Sequence, residues 1–314
     1  MLRGGPSDEH DISLKTGSHI LRNLPEKYEP LDIYIDRKSF WYLNGIKKEP
    51  SIILNRMDAV WNGLHGAYGE DGTVQHILDT FARAYTGPKR LGVVLAMQKG
   101  NAKKFLKNHG IKTPYYQTLR RHDASEEIIR ELFRLMPNPS ITKPIDSSSS
   151  IGVSLARSFI EFQVALDKVF AVSPTALVEE YIEGRGATCG VLDSFRGEDN
   201  YVLLPVEFVN RAGKFFDFDS KYGGQTVAIV PGRFGEREKN EIMRMTGLAH
   251  KILGLRHYSR SDFIVSPRRG VYFLEVNPLP DFNSNSPYIE SLESIGLSFG
   301  EFLDHVLTLA LEQR

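Results

Sequence analysis

The sequence predicts an α/β unit followed by α+β material. Two patterns point there. Short apolar runs alternate with helical periodicity in the first part, whereas the later strands are short, rich in Val, Ile, Phe and Tyr, and close on themselves as a hairpin. A third observation sets the scale: 314 residues, 41% hydrophobic and 25% charged, suffice for two or three cores and exclude whole-chain disorder. Boundaries fall near residues 98 and 180, giving segments 1–98, 99–179 and 180–314.

The elements follow in order. Residues 51–61 (SIILNRMDAVW) carry a strand-like apolar core, and 74–84 read as a helix. Segment 99–110 is a second helix, with Lys99, Lys103, Lys104 and Lys107 on its polar side. Residues 124–136 have apolar side chains at helical spacing behind an acidic first turn. Strands are expected over 177–183, 201–209, 226–230, 262–265 and 271–276, and an amphipathic helix over 298–312.

Composition excludes several functions. Lys plus Arg and Asp plus Glu both number 39, so the chain lacks the basic excess of a dedicated nucleic-acid binder. Cys189 is the single cysteine, so no internal disulfide forms. The apolar run Val93–Met97 is far below the roughly 20 residues a spanning helix needs. No apolar signal segment follows Met1, and the expectation is a cytoplasmic protein without membrane partners. Gly-x-Ser-x-Gly, His-Glu-x-x-His, CxxC, Walker A and Gly-x-Gly-x-x-Gly motifs are all missing.

The most informative segment is Arg260–Ser266, Pro267–Gly270 and Val271–Asn277. Pairing Ser266 with Val271 sets Asp262 opposite Glu275 and Arg260 opposite Asn277, all on one face. Two facing carboxylates repel. They call either for a hard cation held by oxygen ligands, such as Mg²⁺, or for a solvated face on which Arg260 neutralises one of them. Lys143 precedes a small-residue loop, Ser147–Ser150, that reads either as a phosphate cradle or as a surface loop. His65–Gly72 carries three glycines in eight residues, either a turn capped by Asp71 or a binding loop. Lys221-Tyr222-Gly-Gly reads as a loop between strands.

Taken in order, these segments resemble the D-alanine–D-alanine ligases of the ATP-grasp superfamily. The resemblance runs through Gly4–Leu14, HGAYGEDGTVQ (65–75), Tyr85-Thr86-Gly87, Met97-Gln-Lys99, Lys143-Pro144, Val178–Tyr181, Lys221-Tyr222, Arg260-x-Asp262 and Glu275-Val-Asn277. It implies an N-terminal Rossmann-like domain on the first-substrate side, a central lid domain, and a C-terminal domain with the metal and second-substrate sites. The implied reaction is ATP-driven dipeptide formation through an acyl phosphate, for peptidoglycan precursors, in a homodimer. Alternatives are a ligase taking D-lactate, D-serine or an L-amino acid second, or an inactive ATP-binding homologue.

The same resemblance assigns roles. Asp262, Glu275 and Asn277 would hold Mg²⁺, or Mn²⁺ in its place. Lys99 and Lys143 would bind ATP phosphates beneath Ser148 and Ser149, Lys221 the transferred group, and Arg260 the oxyanion. Glu9 would hold the first D-alanine's ammonium, in a network with Ser149 and Tyr222. His65 would line that subsite, and Ser286 would meet the second substrate's carboxylate. Glu179, with the backbone of Glu180 and Ile182, would meet the adenine. Four features depart from the family pattern, the first being that its usual Glu-Gly-Ser-Ser loop reads Ser147-Ser148-Ser149-Ser150, a loss of Gly expected to stiffen or reshape the phosphate lid. Gly186 stands where a ribose-binding Glu is usual, and Asp281 stands where a Gly is usual, with a carboxylate expected to repel the acyl phosphate. The first strand is cut to Met1-Leu2-Arg3, which predicts an N-terminal sheet one strand short and a poorly anchored Glu9.

Overall fold

The computed structural model describes residues 1–146, 152–210 and 226–312; of Asn210 and Thr226 only the backbone is described. Ser147–Ser150, Lys221 and Tyr222 therefore lie outside the described residues.

The N-terminal part runs β1 (Leu2–Gly4), α1 (His10–Asn23), β2 (Ile33–Ile35), β3 (Trp41–Leu43), β4 (Ile46–Lys47), α2 (Pro50–Leu54), β5 (Ala59–Val60), α3 (Thr73–Thr80), β6 (Ala84–Tyr85) and α4 (Arg90–Met97). The first strand is not missing. Leu2, Arg3 and Gly4 pair in parallel with Ile33, Tyr34 and Ile35, and Leu2 is also bonded to Trp61 and Gly63. Three residues suffice because neighbours on both sides satisfy their backbone groups. Glu9, just beyond, is buried.

Gly4 explains the turn after β1. Its φ is +94°, and a Cβ there would stand 2.3 Å from the Ile35 carbonyl oxygen. Gly4→Ala should lower stability by about 1–3 kcal/mol, read as a lower melting temperature; an unchanged melt would refute the close approach.

One local expectation is corrected. Residues 51–54 are helical, not extended, because Pro50 sits at the first turn of α2 and presets its φ. A short apolar run alone does not separate helix from strand. The helix expected over 74–84 ends at Thr80, with Ala82 at positive φ and β6 beyond it.

After α5 (Lys99–Asn108), a four-stranded antiparallel sheet forms in the order β7 (Tyr116–Arg120), β10 (Thr175–Glu180), β8 (Ser140–Pro144), β9 (Ser154–Ala156). Helices α6 (Glu126–Leu135) and α7 (Phe159–Phe170) pack on it through Leu132, Phe162 and Leu166. Ser125 and Ser158 cap these helices by accepting from Ile128 and Glu161 amides.

The C-terminal sheet follows the order β14 (Thr226–Ile229), β13 (Val206–Asn210), β11 (Arg185–Phe195), β15 (Tyr258–Ser266), β16 (Gly270–Asn277), with β12 (Glu198–Val202) also on β11. Helix α8 (Glu236–Ile252) covers one face with Ile242, Met245 and Ala249 against Phe263 and Phe273. Helices α9 (Pro287–Ser294) and α10 (Phe299–Glu312) close the chain. The strand expected over 201–209 breaks at Leu203–Pro205, between β12 and β13. Cys189 is buried on β11, which pushes its thiol up to about 12 and keeps it protonated.

The two ends of the chain meet in one aromatic core. Trp61 stacks on Tyr258 at 6.0 Å, and Phe282 and Phe302 meet both edge-on or tilted. Arg256 donates to the Gly87 and Tyr85 carbonyls, and Tyr258 donates to Thr86. Tyr85-Thr86-Gly87, at the end of β6, is thus a seam between the N-terminal α/β part and the C-terminal sheet. Among the described residues, no single helix is long and apolar enough to cross a membrane.

Candidate active site

Strand β15 and strand β16 pair Arg260 with Asn277 and Asp262 with Glu275, the register expected at the site. The turn differs. Ser266 pairs with Gly270, not Val271, because Pro267–Arg269 form a three-residue loop closed by Gly270 at φ +78°. A bulge between Asp262 and Phe263 takes up the one-residue shift, so the polar face is restored where the carboxylates stand.

The two carboxylates are shared out among cations. Asp262 accepts from Arg260 Nε at 3.2 Å and Nη2 at 3.3 Å, and from Thr188 Oγ1 at 2.6 Å. Glu275 lies 3.6 Å from Lys99 Nζ. Asn277 Oδ1 accepts from the Leu279 amide. Among the described residues, no three His, Cys, Asp or Glu side chains gather at metal spacing. A cation here would rest on two carboxylates and an amide. That all-oxygen donor set, with like charges facing across one strand pair, fits Mg²⁺.

Opposite this face lies a buried charge cluster. Glu179 on β10 is 3% exposed, and each of its oxygens is 2.8 Å from an ammonium: Oε1 from Lys103, Oε2 from Lys143. Burial alone would raise the Glu179 carboxyl, but the two lysines outweigh it and bring it down to about 2. Burial also lowers the Lys103 ammonium, to about 8 despite Glu179. Lys143, likewise buried, is raised above its ordinary value because Glu179, Glu275 and Asp262 together exceed its desolvation.

Lys103 is the residue that sequence reasoning misplaced. Lys99 and Lys103 face inward, one helical turn apart on α5, and only Lys104 and Lys107 lie on the exposed side. The spacing of Lys99 and Lys103 was visible; Glu179, the partner that buries Lys103, was not. The Glu180 side chain is directed away from this cluster, accepting from the Tyr115 amide and pairing with Arg269 at 2.9 Å. Ile182 is buried beside it in sequence.

The N-terminal loops complete the cleft. In His65–Gly72, Glu70 accepts from the Gly66 amide, and Asp71 accepts from the Tyr68 and Thr73 amides. The loop is therefore a capped turn, as one of its two readings required. It also carries His65, which is buried, bonded to Thr16 Oγ1 at 3.1 Å, and within the fields of Glu9, Asp281 and Arg260. Burial lowers its imidazole below the ordinary value, against the pull of those carboxylates, so it is neutral near pH 7. Glu9 lies against the same loop: a Cβ on Gly66 would meet Glu9 Oε2 at 3.1 Å.

Arg260 is held at both ends, by Asp262 and by Asp281 Oδ1 at 3.4 Å from Nη1. Asp281 does not stand as a bare negative charge, because Arg260 and the Asn283 amide both donate to it. Ser286 caps α9: its hydroxyl donates to the Asp281 carbonyl at 2.7 Å and accepts from Tyr288. Lys15, His19 and Arg22 of α1 line the same opening as Arg260, Asp281 and Asn283. The structure thus brings together Glu9, His65, Lys99, Lys143, Glu179, Arg260, Asp262, Glu275, Asn277 and Ser286.

Two antiparallel sheets, one presenting lysines and the other acidic oxygens, with the chain's first α/β unit closing the end, define an ATP-grasp protein. Comparisons narrow the class. The family model described as D-ala D-ala ligase C-terminus matches residues 105–308. A D-alanine–D-alanine ligase of Carboxydothermus hydrogenoformans is 34% identical, covering 100% of this chain and 98% of the relative. That of Pelotomaculum thermopropionicum is 32% identical over 99% and 96%. Among solved structures, the D-alanine-D-alanine ligase from Coxiella burnetii superposes with a TM-score of 0.84 at 25% identity, covering 99% of this chain and 93% of that one. The VanG D-Ala:D-Ser ligase from Enterococcus faecalis also gives 0.84, at 28% identity and 98% of both chains. The chain belongs to the D-alanine–D-alanine ligase family.

Proposed function

We propose that this protein joins two D-alanines to D-alanyl-D-alanine, driven by ATP through an acyl phosphate. One observation carries the reading: Lys99 and Lys143 face Asp262, Glu275 and Asn277 across a cleft whose end holds Glu9, His65 and Arg260. Phosphoryl transfer needs positioning and charge neutralisation more than covalent help, and these residues supply both. Lys99 and Lys143 hold the ATP phosphates. Glu179 and the backbone of Glu180 and Ile182 meet the adenine; Gly186 has no side chain to offer the ribose. Asp262, Glu275 and Asn277 would hold Mg²⁺, which would supply positive charge at the phosphates.

Glu9 takes the first D-alanine's ammonium, beside the neutral His65. The first carboxylate then accepts the γ-phosphoryl group. The second D-alanine's amine displaces phosphate, and Arg260 faces the oxyanion formed as that bond is made. Ser286, at the start of α9, directs a helix N-terminus toward the second carboxylate. Ser148, Ser149, Lys221 and Tyr222 close over the site in this reading. The site faces the cytoplasm, where ATP is available, and the chain works as a dimer.

A second reading is favoured by a specific observation. Asp281, Asn283, Ser284 and Asn285 make the opening beside Arg260 polar, and one similar solved structure is named a D-Ala:D-Ser ligase. D-serine is then the second substrate. The test measures phosphate release from ATP and Mg²⁺ with D-alanine, L-alanine, D-serine and D-lactate, singly and paired with D-alanine. Release with D-alanine alone, with the dipeptide seen by mass spectrometry, is expected. Release only with D-alanine plus D-serine moves the reading to the second. No release with any pair overturns both.

A further inference from the structure

Lys103 stands behind the site, not in it. At 1% exposure it is the most enclosed of the site's cations among the described residues, with its ammonium against Glu179 of β10. Its ammonium meets one oxygen of Glu179, while Lys143 meets the other. Consider the cluster without it. Glu179 and Lys143 would then form a closed buried pair, with both carboxylate oxygens competing for one ammonium. Lys99 is already matched by Glu275. With Lys103 present, three ammonium groups (Lys99, Lys103 and Lys143) face Glu179 and Glu275, while Asp262 is matched by Arg260, which leaves a surplus of one positive charge. Without it the surplus is zero, and an anion entering the cleft finds no net attraction from this face.

We propose that Lys103 is a positioning residue for nucleotide binding: by occupying one oxygen of Glu179 it leaves the Lys143 ammonium available to the ATP phosphates. This rests on the reading of the cleft as an ATP site. Lys103 touches neither substrate nor phosphate, so its removal alters affinity for ATP and leaves the acyl-transfer end alone. Glu9, His65 and Arg260, which serve the amino acids, lie outside its contacts.

The experiment measures ATP binding by calorimetry, with Mg²⁺ and without D-alanine, then steady-state kinetics on the same proteins. Lys103→Met should raise the Kd and KM for ATP about tenfold, with kcat at saturating ATP and KM for D-alanine within about twofold of wild type. Lys103→Arg, which restores the charge, should recover most of the affinity. A purely structural role would move all parameters together and would not be rescued by charge. Lys103→Gln keeps a hydrogen-bond donor for Glu179 but not the charge, so a smaller loss of ATP affinity in the same direction is expected from it, and it carries the test if the Met variant does not fold. Unchanged ATP affinity in a folded Met or Gln variant, or a fall in kcat matching the rise in KM, overturns the role of Lys103. Failure of the wild-type protein to bind ATP overturns the nucleotide reading itself.

Discussion

Arg260→Ala should lower turnover on the order of 10²–10³-fold while ATP still binds. The geometry is the reason. The guanidinium is buried, clamped by Asp262 through Nε and Nη2 and by Asp281 through Nη1. A group so fixed needs no reorganisation when charge develops in front of it, which is where preorganised donors act most strongly. Arg260→Lys should recover little, since an ammonium cannot bridge both carboxylates as the planar fork does. ATP affinity is the control, because Lys99 and Lys143 are untouched by either change. Turnover equal to wild type in Arg260→Ala would remove Arg260 from the oxyanion and leave it a structural tie between Asp262 and Asp281.

Much of that site could be read before any coordinates. The alternation of β15 and β16 placed Arg260, Asp262, Glu275 and Asn277 on one face because side chains in strands repeat every second residue. The loop was harder: Gly270 takes a positive φ and the strands slip by one, and only the bulge after Asp262 reconciles turn and site. Helix α2 was hidden for another reason. Ser51–Leu54 carry β-branched residues, and Pro50 decides against the strand. Lys103 and Asp281 illustrate the remaining gap. Each is charged, and on local pattern each belongs in water or against an opposite charge. Their roles depend on partners distant in sequence: Glu179 for one, Arg260 for the other. No periodicity reports such pairings. Trp61 and Phe302 are similar, since the core they share joins the two ends of the chain.

Glu179→Ala should cost about 3–5 kcal/mol of stability, the largest single loss expected outside the hydrophobic cores. Among the described residues this carboxylate is the direct ion-pair partner of both Lys103 and Lys143, and both ammonium groups lie nine-tenths or more buried. Its removal leaves two buried ammonium groups facing each other without their direct ion-pair partner, with only the more distant Glu275 and Asp262 acting on them. Glu179→Gln should cost less, since the amide oxygen still accepts from one lysine. The effect also carries a pH signature. The Glu179 carboxyl is lowered to about 2 in the folded chain, against an ordinary value of 4.5, so the unfolded chain binds the extra proton between those values. Its contribution is complete above about 4.5 and is lost as pH falls toward 2. Urea melts of wild type and Glu179→Gln from pH 7 down to 3 should therefore show a gap that is constant above pH 5 and narrows below it. A gap that stays constant to pH 3, or a Glu179→Ala protein as stable as wild type, would mean that the two lysines find their compensation elsewhere.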